Sequence, residues 1–138
     1  MRAVIFVPGN PGSKMSLAGA GEIWPPDIMD ITFGYQKVAN LLDPNVVATG
    51  IIDTILLPCA QFYQPIDSNL TDICARLSAA YAVFPYDWRK NISHSAHSLA
   101  DAIQDLCTKN PSVNDITLVC HSNGGLDAVP AERHSGPI

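Results

Sequence analysis

The sequence predicts an α/β protein, a parallel sheet flanked by helices with a long insertion after the first strand. Three short runs, "AVIFV" at 3–7, "AYAVF" at 80–84 and "ITLVC" at 116–120, are apolar without polar alternation. That is the pattern of strands covered on both faces, as in a parallel sheet. Helical spacing lies between them, at Leu70, Ile73, Cys74 and Leu77, then at Leu99, Ile103, Leu106 and Cys107. Strand, helix, strand, helix, strand is the order of βαβ units, whose crossovers should be right-handed.

Taken in order, the first strand ends at Pro8-Gly9 and opens into the loop "PGNPGS". The stretch from there to about Asn69 departs from the pattern. Its boundaries are set at 13–69, and its glycines, prolines and aromatics predict an excursion from the sheet with short helices and one extra strand. Asp67 or Ser68 is the expected cap of the helix that follows. The next helix should end at Asn110-Pro111, with His94 and His97 preceding it as surface residues. After the third strand, His121-Ser122-Asn123-Gly124-Gly125 reads as a turn into a helix beginning at Asn123. Pro130 should interrupt that helix after about two turns, and 129–138 forms an atypical tail.

A chain of 138 residues suits one domain spanning 1–138 with a moderate core. The balance of 47% hydrophobic to 15% charged residues excludes intrinsic disorder. A net charge of −5 without a Lys/Arg cluster excludes a nucleic-acid footprint. The apolar stretches break well short of about 18 residues, so no transmembrane segment is expected. The N-terminal run is too short for a signal peptide, which gives a cytoplasmic expectation. Cys59, Cys74, Cys107 and Cys120 are spread without a C-x-x-C pair. They read as small buried hydrophobes, a disulfide or metal role being the alternative.

The chemistry-bearing feature is Ser122. A nucleophilic serine needs an exposed hydroxyl, a base within reach and donors for the developing oxyanion. A sharp strand-to-helix turn of the form G-x-S-x-G exposes the hydroxyl. Here the pattern is Cys120-His121-Ser122-Asn123-Gly124, with a modest residue at the first small position. The Asn123 N–H becomes one oxyanion donor. The first loop supplies a second, and Asn10 is the expected one because Pro11 has no N–H. The competing reading of Ser122 is an ordinary turn with a solvated serine. A phosphate-binding loop is the rival for the first bend, but Ser13 and Met15 flank Lys14 where that motif needs Gly and Ser/Thr.

"VPGNPGSKM", "VFPYDWRKN" and "ITLVCHSNGGL", in that order, resemble the lecithin:cholesterol acyltransferase-like family of α/β-hydrolases, of the bacterial-type lipase and acyltransferase kind. The resemblance covers about residues 3–128. It implies the α/β-hydrolase sheet, with the strand at 3–7 between and parallel to the other two. It implies Ser122 as nucleophile, backbone N–H groups of Asn10 and Asn123 as oxyanion donors, and an acyl ester or lipid as substrate. No metal or organic cofactor is implied. The "PYDWR" stretch offers an Asp87–Arg89 salt bridge that fixes its loop over Trp88, direct substrate contact being the alternative. Trp24 lines an acyl surface or anchors the insertion.

The family's order is serine, then acid, then histidine. Sixteen residues follow Ser122, whereas one further βαβ unit needs about 30. His121 should point away from its neighbour, and Glu132 and His134 lie in the tail. The expectation is therefore an incomplete, truncated α/β-hydrolase fold with impaired activity. The alternative is a non-catalytic remnant or interaction module that self-associates through the open edge of the strand at 116–120.

Overall fold

The computed structural model describes residues 1–55 and 61–135, with side chains through Ala131. Three strands form a parallel sheet in the order β5-β1-β6, where β1 is Arg2–Val7, β5 is Ala80–Val83 and β6 is Asp115–Cys120. Ile5 of β1 stands opposite Ala82 on one side and Leu118 on the other. The chain is thus a mixed α/β protein, and its central strand is the first one, as expected.

β1 explains why an unbroken apolar run is needed. Ile5 and Val7 face a core completed by Leu99, Ala100 and Ile103 of α3 (Ile92–Lys109) and by Ala128 and Ala131 of α4 (Gly124–Ser135). Phe6 faces the other way, against Tyr63, Ile51 and Leu70 of α2 (Gln64–Arg76). Alternate side chains of one strand therefore fill two separate cores, so no position from Ala3 to Val7 tolerates a polar residue. α3 starts where the Asn91 side chain accepts the His94 N–H at 2.8 Å, and it gives way at Asn110 before Pro111.

The inserted segment is more ordered than its sequence predicts. β2 (Ser13–Leu17), β3 (Gly21–Trp24) and β4 (Val47–Ile51) make an antiparallel sheet in the order β3-β2-β4, three strands where one was expected. The strands are short and bulged at Met15, which hides their period of two. Met15, Ile23 and Val46 form a small core of their own. Between β3 and β4 lie α1 (Ile28–Thr32), closed by a reciprocal Asp27–Asp30 capping box, and a 3₁₀ helix over Gln36–Leu42.

Several expectations need correction. α2 begins at Gln64 with Pro65 in its first turn, three residues before the expected cap. Asp67 lies inside it and accepts a 2.6 Å bond from the Tyr81 hydroxyl of β5. Ile73 and Leu77 of its apolar stripe are exposed, and Cys74 is the residue it buries. His94 and His97 are not on a loop but within the first turns of α3, both exposed. α4 starts at Gly124, not Asn123, and runs through Pro130 to Ser135. A single proline removes one N–H and crowds one carbonyl, and this helix absorbs both without ending. Cys120 is exposed where burial was expected, Cys107 is half-buried, and Cys59 lies outside the described residues. β6 has a strand neighbour on one side among the described residues.

Candidate functional site

The site grows from the end of β6. The His121 N–H donates to the Val7 carbonyl at 3.0 Å, the last rung of the parallel pairing. The chain then reverses through Ser122, whose φ is +51°. A serine in the left-handed region is strained, and such residues persist where surrounding structure imposes them. The Gly124 N–H closes on the His121 carbonyl at 2.9 Å and the Gly125 N–H on the Ser122 carbonyl at 3.0 Å, which launches α4. Ser122 itself is exposed.

The bend after β1 packs directly against this turn. A methyl group on Gly9 would lie 2.8 Å from His121 Nδ1 and 3.0 Å from Ser122 Cβ. One on Gly124 would lie 2.6 Å from the carbonyl oxygens of both Val7 and Pro8. Two glycines thus allow a backbone approach that any side chain would block. The two bends named from sequence stand in contact, one bearing Asn10 and the other Asn123. Among the described residues, neither backbone N–H donates to a carbonyl. Asn10 is exposed and Asn123 half-buried.

Tyr63, which sequence reasoning passed over, joins the bends. Its hydroxyl accepts the Gly9 N–H at 2.8 Å and stands 2.8 Å from His121 Nδ1. His121 is therefore turned toward Tyr63. Its ring is edge-on to the tyrosine, with centroids 5.6 Å apart. Among the other histidines, His97 Nδ1 lies 2.6 Å from the Ser93 carbonyl on its own helix. His94 lines a cleft of about 460 Å³ with Tyr86, Asp87 and Lys90, and Ser122 is not part of its lining. The Glu132 and His134 side chains lie outside the described ones.

Asp127 is a second residue missed from sequence. It is 2% exposed in the first turn of α4. Burial pushes its carboxyl above the usual range, and the nearby Tyr86 hydroxyl pulls against that. Burial beside Asp127 also pushes the Tyr86 phenol well up. The two groups face each other without a well-formed hydrogen bond, and the Tyr86 hydroxyl is buried without a partner. The signal was present: Gly124, Asp127, Ala128 and Ala131 follow helical spacing, which puts the aspartate on the core face.

The "PYDWR" stretch anchors the insertion. Arg89 grips Asp87 with two bonds, Nε to Oδ1 at 2.7 Å and a terminal nitrogen to Oδ2 at 2.6 Å. Its remaining donors reach the carbonyls of Leu41, Asp43 (2.9 Å) and Val46 (3.2 Å). Burial alone would raise Asp87, but its bonds from Arg89 outweigh it and hold the carboxyl below its usual value. Trp88 donates to the Ser13 carbonyl at 3.1 Å and packs edge-on against Trp24, which donates to the Pro11 carbonyl at 3.1 Å. Lys14, the residue of the phosphate-loop reading, is paired with Asp53 at 2.7 Å.

Among the described residues no group of three His, Cys, Asp or Glu side chains could hold a metal ion, and no helix is long and apolar enough to cross a membrane. Fold and turn together define a mixed α/β protein with a strained serine at a strand-to-helix turn. No family model, curated protein or solved structure matches the chain.

Proposed function

We propose that the chain carries the nucleophile and oxyanion site of a serine ester hydrolase, lipase or acyltransferase acting on acyl esters of the lipid class. Supporting this is the exposed Ser122 at φ +51°, in contact with the glycine bend of residues 8–12. In this reading the Ser122 hydroxyl oxygen attacks the acyl carbonyl and its proton passes to solvent water, which returns one to the departing alcohol. The backbone N–H groups of Asn10 and Asn123 receive the oxyanion. Collapse expels the alcohol and leaves an acyl-serine, which water or a second alcohol then discharges. The α/β-hydrolase fold and the acyltransferase-like family belong to this same proposal.

Among the described side chains none stands as the base, since His121 Nδ1 is turned to Tyr63. Turnover by these residues alone is therefore impaired, with oxyanion and binding effects remaining. A fluorophosphonate probe tests the reading. The folded protein should be labelled slowly, and Ser122→Ala should abolish the label. Folded protein that resists the probe would reject Ser122 as a nucleophile.

One observation favours a second reading, an interaction module. β6 is paired to β1 on one side, and from Ile116 to Cys120 it carries no charged residue that would discourage pairing with another chain. Light scattering separates it: concentration-dependent self-association is expected here, and a monomer at all concentrations would remove it.

A further inference from the structure

We propose that Tyr63, which leads from the inserted segment into α2, is a positioning residue that holds His121 as its Nε2–H tautomer and pins the two bends to each other. Its consequence for catalysis rests on Ser122 being the nucleophile; its structural content does not.

A phenol has one proton to give and two lone pairs to receive with. The Gly9 N–H is a donor and nothing else, so its 2.8 Å buried bond occupies one lone pair of the Tyr63 oxygen. His121 Nδ1 stands 2.8 Å from the same oxygen. Were Nδ1 protonated, the oxygen would receive two N–H groups while its own proton found no acceptor among the described residues. With the tyrosine proton pointing to Nδ1, every group is used: Gly9 gives, Tyr63 receives and gives, His121 receives. The unpaired alternative leaves a buried polar hydrogen, which is costly. Burial also pushes the Tyr63 phenol above its ordinary value, so it keeps the proton it must donate.

The ring is fixed well enough to impose this geometry. Phe6 of β1 meets it edge-on at 5.2 Å and Phe62 at 4.5 Å. Gly12 approaches so closely that a methyl there would lie 2.6 Å from the ring and 2.8 Å from the hydroxyl. The Tyr63 N–H donates to the Ile52 carbonyl at 3.1 Å, just beyond β4. One hydroxyl thus ties three elements together: the bend after β1, the turn after β6 and the end of the insertion.

Two consequences follow. The Nδ1 lone pair is spent, so His121 does not serve Ser122 as a base through that atom. The imidazole proton then resides on Nε2, which makes an exposed residue next to Ser122 a hydrogen-bond donor toward an acyl-ester oxygen. Tyr63 acts on the chemistry only through His121 and Gly9.

Long-range proton–nitrogen spectra of protein labelled at histidine decide the matter, with His121 assigned by loss of its signals in His121→Gln. At mildly alkaline pH, wild type should show His121 protonated on Nε2, with Nδ1 at the resonance of a hydrogen-bonded acceptor. Tyr63→Phe keeps the ring and removes the hydroxyl. It should move Nδ1 toward the value of an unbonded nitrogen and speed exchange of the Gly9 amide roughly three- to tenfold. Fluorophosphonate labelling of Ser122 should slow roughly tenfold or more. Wild-type His121 protonated on Nδ1 would overturn the proposal, as would a folded Tyr63→Phe whose imidazole and Gly9 signals match wild type. The wild-type spectrum decides even if the variant fails to fold. Failure of wild type to take the probe would sink the esterase reading and leave the tautomer measurement to judge Tyr63 alone.

Discussion

β1 and β2 sit side by side in sequence and are secured by different physics. β1 buries Ile5 and Val7 on one face and Phe6 on the other, and helices cover both. β2 buries Met15 against Ile23 and Val46 in a small core edged by Leu17, Trp24, Leu41, Ala48 and Trp88, and polar contacts add to it. Arg89 holds three carbonyls of residues 41–46, Trp88 holds Ser13, and Lys14 meets Asp53. Ile28, Met29, Ile31 and Phe33, all in the insertion, stay exposed. Continuous apolar burial makes one sheet a core in its own right. The other is a layer fastened to it at points, through Trp88 and Arg89 of the loop after β5 and through Ile51 of β4 against Phe6, while the Lys14–Asp53 pair lies within the insertion itself.

The largest way to break this comparison is Phe6→Ala. Phe6 is fully buried, and its loss should cost about 3–5 kcal/mol, lowering the midpoint of the whole transition by denaturant. A loss confined to the insertion would contradict the division drawn between the sheets. Next is Arg89→Ala, which strands a mostly buried Asp87 carboxylate and frees three carbonyls. About 3 kcal/mol is expected. Amide exchange should rise across residues 36–51 while β1 and β6 stay protected; uniform loss of protection would show that the insertion is part of the main core.

The smallest effect is also the most diagnostic for pH. The folded Asp127 carboxyl lies above its ordinary value of 3.8. Its contribution is therefore fully present below pH 3.8 and is lost as pH rises through the folded value. Asp87 has the opposite sign: held below 3.8, it contributes above that value and loses its contribution as pH falls through its folded value. Asp127→Asn should leave stability at low pH nearly unchanged and raise it at neutral pH. Thermal melts from pH 3 to 8 test this, and a variant less stable at neutral pH would show that the Asp127 charge is supported by its surroundings.

The parallel sheet was legible because β1, β5 and β6 are short apolar runs, although only β1 is buried on both faces; β5 is half-buried and β6 exposes Thr117 and Cys120. The serine turn was legible because Gly124 and the loop at Pro8-Gly9 mark places where backbone meets backbone. The inserted sheet was not, since β3 has four residues, β2 is bulged, and proline and glycine dominate the local statistics. The start of α2 was misplaced because the helix begins with polar residues, and Pro65 was the better marker. Tyr63 could not have been found by spacing. Its role comes from meeting Gly9, 54 residues away, and His121, 58 residues away.

Gly124 passes between the carbonyls of Val7 and Pro8 with no room for a side chain, whereas Gly19, at the β2–β3 hairpin, has nothing within 4 Å of the same position. Chain length is therefore free to vary at the hairpin and rigidly gauged at the bend. A residue added near Asn10 would shift the seat on which α4 begins and carry the serine with it. The same residue added at Gly19 would only lengthen a tip in solvent.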